Sequence, residues 1–277
     1  MQKELTMSIS PRKTVVVTGA SSGIGAVYAE RFAQRGYDLL LVARRGERLQ
    51  ALAAAIAAAY KVHATPLVAD LATDEGQAKV AQVLASDPTV AVLVNNAGIA
   101  RLAPFAGGAL QDTTAQIALN IGAVTRLTHA VLPAMKARNE GLIINVSSAL
   151  ALHTLPISAV YSGTKAFVLS FSRGLQQELA NTAVKVQVVL PAATATEVWN
   201  HSGVPLATLD PDAVMATDAM VDAALTALDR GESITLPSVA DAGLIERFEA
   251  ARAALFSNTN TGKVAPRLVS DAGGVTP

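Results

Sequence analysis

The sequence has no cysteine, which excludes disulfides and thiolate metal ligation and leans toward a cytosolic residence. Its four histidines (His63, His129, His153 and His201) form no H-E-x-x-H or comparable set, so no metal site is expected. Aromatic residues make up only 4% of the chain against 51% hydrophobic residues overall, so much of the apolar content is alanine. That composition suits helices packed closely on a sheet. Charge of one sign is also missing: Lys+Arg and Asp+Glu each number 22, leaving no electrostatic ground for nucleic acid or an anionic membrane surface as partner. No apolar run approaches the length of a membrane span, and the first thirteen residues lack the apolar core of a signal peptide. The expectation is a soluble, cytoplasmic protein with a loose N-terminal arm over 1–13.

What is present is an alternation of short β-branched runs with longer alanine-rich stretches. "TVVVT" (14–18), "DLLLVA" (38–43), "ATPLVA" (64–69), "VAVLVNN" (90–96), "GLIINVSS" (141–148), "VKVQVVLP" (184–191) and "SITLPS" (233–238) read as seven strands. They are apolar throughout, as expected for parallel strands covered on both faces. The fold class is therefore α/β: a Rossmann-type, doubly wound, mainly parallel seven-stranded sheet with helices on both faces. At 277 residues the chain is read as one such domain over 14–256, including a lid at about 197–212, with a peripheral tail over 257–277.

After the first strand comes "TGASSGIG", with Gly19, Gly23 and Gly25 where a strand turns into a helix. Glycine there lets the backbone turn sharply and approach a pyrophosphate held by the helix N-terminus. Further on, "SAVYSGTKAF" places Tyr161 and Lys165 four residues apart, on one face of a helix. A neighbouring ammonium favours phenolate, which brings a tyrosine closer to useful acid–base chemistry. Ser147 and Ser148 end the fifth strand and point to opposite sides of it.

The spacing G-x-x-x-G-x-G, followed in order by Asp70, "NNAG" (95–98), Asn120, Ser148 and Tyr161 with Lys165, resembles the short-chain dehydrogenase/reductase family. The likeness runs from about Thr14 to Pro237 and is closest to the group with a single domain. It implies a carbonyl–alcohol oxidoreductase in which Tyr161 is the general acid/base. Lys165 lowers its pKa and binds ribose, Ser148 orients the carbonyl, and Asn120 kinks its helix and supports a proton relay. It implies cofactor contacts from Gly19, Ser21, Ser22, Gly23, Ile24, Gly25, Asp70, Leu71, Asn96, Ala97, Gly98, Tyr161, Lys165, Pro191, Thr194 and Thr196. Asn95 is read as structural first. In "LPAATATEVW" the usual glycine after Pro191 is Ala192, and Thr194 stands where a hydrophobic residue is usual.

The second strand ends "VARRGERL". An acid at its end would bind the adenosine ribose hydroxyls, whereas here Ala43 is followed by Arg44 and Arg45, whose guanidinium groups match a phosphate dianion. NADP(H) is therefore the expected cofactor, with NAD(H) as the alternative. Leu150, His153, Leu155 and Trp199 are the expected substrate wall, and the lack of a cation among them points to an uncharged carbonyl or alcohol. The resemblance also implies a homo-tetramer or homo-dimer. Two rival readings are a redox-silent NADP(H) sensor and an epimerase or dehydratase. The first has no use for an intact Ser148–Tyr161–Lys165 set, and the glycine spacing disfavours the second.

Overall fold

A computed structural model describes residues 12–269. The expected arm, except Arg12 and Lys13, and the last eight residues lie outside the described residues. The strands are β1 (Thr14–Thr18), β2 (Asp38–Ala43), β3 (Ala64–Val68), β4 (Val90–Asn95), β5 (Gly141–Val146), β6 (Val184–Val189) and β7 (Ile234–Thr235). All pair in parallel, in the order β3-β2-β1-β4-β5-β6-β7. The chain is thus a Rossmann-type α/β fold. The seventh strand is shorter than its sequence run: Leu236–Ser238 continue past the sheet without pairing.

The helices are α1 (Gly23–Gln34), α2 (Gly46–Tyr60), α3 (Asp74–Ser86), α4 (Leu110–Ile117), α5 (Val124–Arg138), α6 (Ala159–Glu178), α7 (Thr217–Asp229) and α8 (Ala242–Ser257). Alternate residues of each central strand enter opposite cores, because side chains of a strand point to opposite faces. Val15, Val17, Leu39, Leu41, Val92 and Val94 pack in the core that also holds α1 residues Tyr28 and Phe32 and α7 residues Met220 and Val221. Val16, Leu40, Val42 and Leu93 pack with Val80, Leu84, Leu127, Val131 and Leu175 on the other face. Two apolar faces per strand explain why the runs show no polar alternation.

The sheet also carries a polar seam. Asn95 and Asn145 stand in register on β4 and β5. Asn95 Nδ2 donates to Asn145 Oδ1 at 2.9 Å and to Thr128 Oγ1 at 3.1 Å. Asn145 Nδ2 donates to Ser172 Oγ at 2.9 Å, and Ser172 Oγ to the Val168 carbonyl at 2.7 Å. Every side chain in this chain of bonds is buried, so α5, β4, β5 and α6 are joined by satisfied amides rather than by apolar packing alone.

The chain forms two compact units, one through Ser238 and one from Val239 onward. The second includes α8, which buries none of its residues. Among the described residues no helix is long and apolar enough to cross a membrane.

Candidate active site

The order of β1 and β4 reverses the direction of winding, which opens a crevice at the strand C-termini. A cleft of about 840 Å³ lies there, wholly within the first unit. Its walls include Gly19, Ser21–Ile24, Arg44, Arg45, Asp70, Leu71, Asn96–Gly98, Ser148, Leu150, Tyr161, Lys165, Pro191, Thr194, Thr196 and Trp199.

At the β1–α1 turn Gly19 has φ +69°, a conformation that side chains disfavour. A Cβ on Gly25 would stand 2.5 Å from the Gly19 carbonyl oxygen, so α1 can start this close to the strand end only without one. The Ser22 side chain makes no capping bond, so the first-turn N–H groups of α1 have no side-chain acceptor. The turn is fastened from behind. Thr18 Oγ1 accepts from the N–H groups of Asn96 (2.9 Å) and Ala97 (3.0 Å), and Asn96 Nδ2 donates to the Thr18 carbonyl at 2.8 Å. Asn96 thus acts on the strand turn as well as facing the cleft.

Beyond β2 three arginines line the same end of the cleft: Arg44, Arg45 and Arg48. Arg44 lies 4.0 Å from Asp70, whose other carboxylate oxygen accepts from the Ala72 N–H at 2.9 Å. Arg45 donates to Ser21 Oγ and Ser22 Oγ, and Arg45 and Arg48 both donate to the Glu197 carboxylate at 2.5 and 2.7 Å. Those two guanidinium groups hold Glu197 far below the usual carboxylate range, at about 2. Sequence reasoning missed both Arg48 and Glu197. Arg48 was reachable, one helical turn after Arg44, whereas only folding brings position 197 to position 45.

At the other end, β5 and α6 place the hydroxyl and amine groups. Ser147 and Ser148 both line the cleft, but Ser147 Oγ is engaged in donating to the Lys165 carbonyl at 2.7 Å. Ser148 accepts from the Leu150 N–H at 3.2 Å, and the half-buried Tyr161 lines the cleft with it. Burial raises the Tyr161 phenol above its ordinary value, with Ser148 working against that rise; the lowering by Lys165 that the resemblance implied is outweighed by this desolvation. Lys165 is only 6% exposed and donates to the Val146 carbonyl at 3.0 Å. Its Nζ stands 5.8 Å from the Tyr161 ring centre, and burial brings its pKa down to about 8.

The kink implied at Asn120 takes the form of a break in the helix. A π-helical turn, Ala118–Ala123, separates α4 from α5 and carries the buried Asn120. Widening the turn by one residue aims the amide at the loop after β4. Asn120 Oδ1 accepts from the Ile99 N–H at 3.0 Å, and Nδ2 donates to the Ile99 carbonyl (2.9 Å) and Thr164 Oγ1 (3.1 Å). A Cβ on Gly98 would meet Asn120 Oδ1 at 3.2 Å and Lys165 Nζ at 3.5 Å, so the two groups flank one spot and lie less than about 7 Å apart.

The substrate wall is reassigned in part. Leu150 and Trp199 line the cleft, but His153 and Leu155 do not; both are exposed on the loop before α6. That loop turns outward because Ser158 binds the Leu155 N–H at 2.8 Å and Ser162 binds the His153 carbonyl. The premise of a wall without cations also changes. Arg101 lines the cleft, donates to the Ala100 and His201 carbonyls, and faces Asp112 at 3.6 Å. The lid folds into 3-10 turns at Glu197–His201, Leu206–Thr208 and Pro211–Ala213. Trp199 Nε1 donates to the Thr194 carbonyl at 2.8 Å, and the Leu102 N–H to the Ser202 carbonyl at 2.6 Å.

Sheet order, glycine turn and switch-point cleft define a doubly wound fold of the dinucleotide-binding class. The family model for short chain dehydrogenase matches residues 13–204, and the chain belongs to that family. It is 39% identical over 196 residues to very-long-chain 3-oxoacyl-CoA reductase-A of Danio rerio, covering 69% of this chain and 61% of that protein. The chain thus spans about three fifths of the length of the curated relatives it matches. Among solved structures it is similar to a short-chain dehydrogenase from Sphingobium yanoikuyae in complex with NADPH, at 42% identity and TM-score 0.89, covering 92% of this chain and 99% of that one. It is also similar to the bulky-bulky ketone specific alcohol dehydrogenase from Comamonas testosteroni, at 36% identity and TM-score 0.86, covering 94% and 100%.

Proposed function

We propose that this chain is an NADP(H)-dependent oxidoreductase that interconverts a ketone or aldehyde with the corresponding alcohol. The observation that carries the reading is the convergence of Ser148, Tyr161 and Lys165 on one cleft, with the buried Lys165 amine 5.8 Å from the tyrosine ring. With NADP(H) held in the cleft, the nicotinamide would supply or accept the hydride. The residues of this chain handle the oxygen and its proton. Ser148 and Tyr161 donate to the carbonyl oxygen, and Tyr161 releases its proton as negative charge builds there. Its raised pKa keeps the phenol neutral and able to donate near neutral pH. Lys165, with a pKa of about 8, remains mostly protonated near pH 7 and stabilises the phenolate left behind. Asn120, which with Lys165 lies close to Gly98, fits a water-bridged path by which that proton is replaced.

The donor set fits a phosphorylated dinucleotide. First-turn N–H groups of α1 without a side-chain cap suit the diphosphate, and three arginines beyond a strand that ends in alanine suit a 2′-phosphate. The NADPH complex of the Sphingobium relative supports the same assignment. For the substrate, a second cavity of about 440 Å³ shares Arg101, Leu102 and His201 with the cleft. Phe105, Ile157 and Val160 contribute apolar surface to it. Together with the ketone specificity named for the Comamonas relative, this favours ketones with a bulky group on each side of the carbonyl. Cytoplasmic residence and assembly as a homo-tetramer or homo-dimer belong to the same proposal; light scattering on the purified chain checks the second.

The test is NADPH consumption with a panel of aldehydes, small ketones and bulky ketones. Tyr161→Phe is expected to abolish turnover and to leave NADPH binding within about twofold. Full activity in Tyr161→Phe would end the mechanism. Binding of NADPH with no turnover of any carbonyl would favour the sensor.

A further inference from the structure

Arg45 and Arg48 lie where the proposed 2′-phosphate would bind, yet both guanidinium groups already hold an anion. That anion is Glu197, bonded at 2.5 and 2.7 Å. A carboxylate offers the same paired oxygen acceptors as a phosphate face, and arginine binds both in the same forked geometry. Glu197 is not part of the β2–α2 unit that carries the arginines. It opens the lid, as the first residue of the turn Glu197–His201, and lines the cleft with them.

We propose that Glu197 is a specificity-determining residue that competes with the cofactor's 2′-phosphate for Arg45 and Arg48. The inference rests on the NADP(H) reading of the cleft. A 2′-phosphate brings a second anion to guanidinium groups that one carboxylate already satisfies, so one anion displaces the other or both share the donors at the expense of repulsion. Either way Glu197 weakens 2′-phosphate binding and leaves the rest of the nucleotide untouched. The pairs are exposed to solvent, which limits the effect to a roughly three- to tenfold change in affinity. The exchange is also felt by the lid. Trp199 is the chain's one tryptophan, lies two residues from Glu197 and bonds to Thr194. Its fluorescence therefore reports on release of Glu197.

The experiment uses the full chain and two probes without a nicotinamide ring, adenosine 2′,5′-bisphosphate and AMP, titrated by calorimetry and by Trp199 fluorescence. Glu197→Gln and Glu197→Ala are expected to bind the bisphosphate three- to tenfold more tightly than the parent, with AMP changed by less than twofold. The parent's fluorescence change on bisphosphate binding should shrink in both variants. If both variants bind both probes as the parent does, or more weakly, Glu197 is not a competitor and the inference falls. Arg45→Ala separates this from failure of the cofactor reading. If the parent prefers the bisphosphate and Arg45→Ala erases that preference while Glu197→Gln leaves it unimproved, only the competition is refuted. If the parent shows no preference for the bisphosphate, the NADP(H) reading fails and the inference with it.

Discussion

Replacing Lys165 with methionine should inactivate the protein and at the same time stabilise it. The amine is buried, and its pKa falls from 10.5 to about 8 in the fold. At about 1.4 kcal/mol per tenfold change in proton affinity, holding this ammonium near pH 7 destabilises the folded chain by roughly 3 kcal/mol. Between pH 8 and 10.5 the unfolded chain keeps the proton that the folded chain has released, so stability rises with pH through that window. Methionine fills much of the same space without a charge, but it leaves the Val146 carbonyl without its 3.0 Å donor, a loss of about 1 kcal/mol. Lys165→Met is therefore expected to be about 2 kcal/mol more stable than the parent near pH 7, and that advantage should shrink by about 2 kcal/mol near pH 9.5. Urea unfolding of both proteins at the two pH values measures the gap, and the carbonyl assay measures the loss of turnover. A variant less stable than the parent near pH 7, or a gap that ignores pH, would refute the desolvation account of this amine.

Asn120→Ala strands the Ile99 N–H and carbonyl and removes a donor to Thr164, so a stability loss of about 2–4 kcal/mol is expected in urea unfolding, together with a lower kcat. Gly25→Ala drives a methyl group to 2.5 Å from the Gly19 carbonyl, and NADPH affinity should fall at least tenfold while far-UV circular dichroism keeps its helix signal. Arg45→Ala should raise KM for NADPH about tenfold or more and change KM for NADH little, since only the phosphorylated cofactor uses the guanidinium. Equal effects on the two cofactors would place the 2′-phosphate elsewhere.

The sheet was readable because its strands announce themselves as unbroken β-branched runs, and because burial on two faces leaves no other reading for "TVVVT" or "VAVLVNN". Strand ends were harder. "SITLPS" has the composition of a longer strand, but only Ile234 and Thr235 find partners on β6, because pairing depends on what stands alongside. The π turn at Asn120 leaves no mark in apolar periodicity, which runs through α4 and α5 without a break. In the site, positions fixed by local geometry were legible: the glycine turn, the four-residue step from Tyr161 to Lys165, and the opposed hydroxyls of Ser147 and Ser148. Positions fixed by long-range closure were not. Glu197 meets Arg45 across 152 residues, and Arg101 reaches His201 across 100. Gly76 lets α3 start against the Asp70 carbonyl, a close approach that its place in a helical run does not signal. His153 and Leu155 were misplaced because proximity in sequence to Ser148 says little about which way a loop turns.

The buried seam from Thr128 through Asn95 and Asn145 to Ser172 divides the molecule by timescale. Backbone amides around this buried seam are expected to exchange only through opening of the sheet, which would make Val146, Ser148 and the base of α6 part of a slowly opening region. The cofactor end is closed instead by solvent-facing ion pairs, which break and remake far faster. Nucleotide exchange is therefore expected to be faster than opening of the region that holds Ser148 and Lys165. Hydrogen exchange should show this as two separate populations of amides, divided at the edge of the cleft and not between one helix and the next.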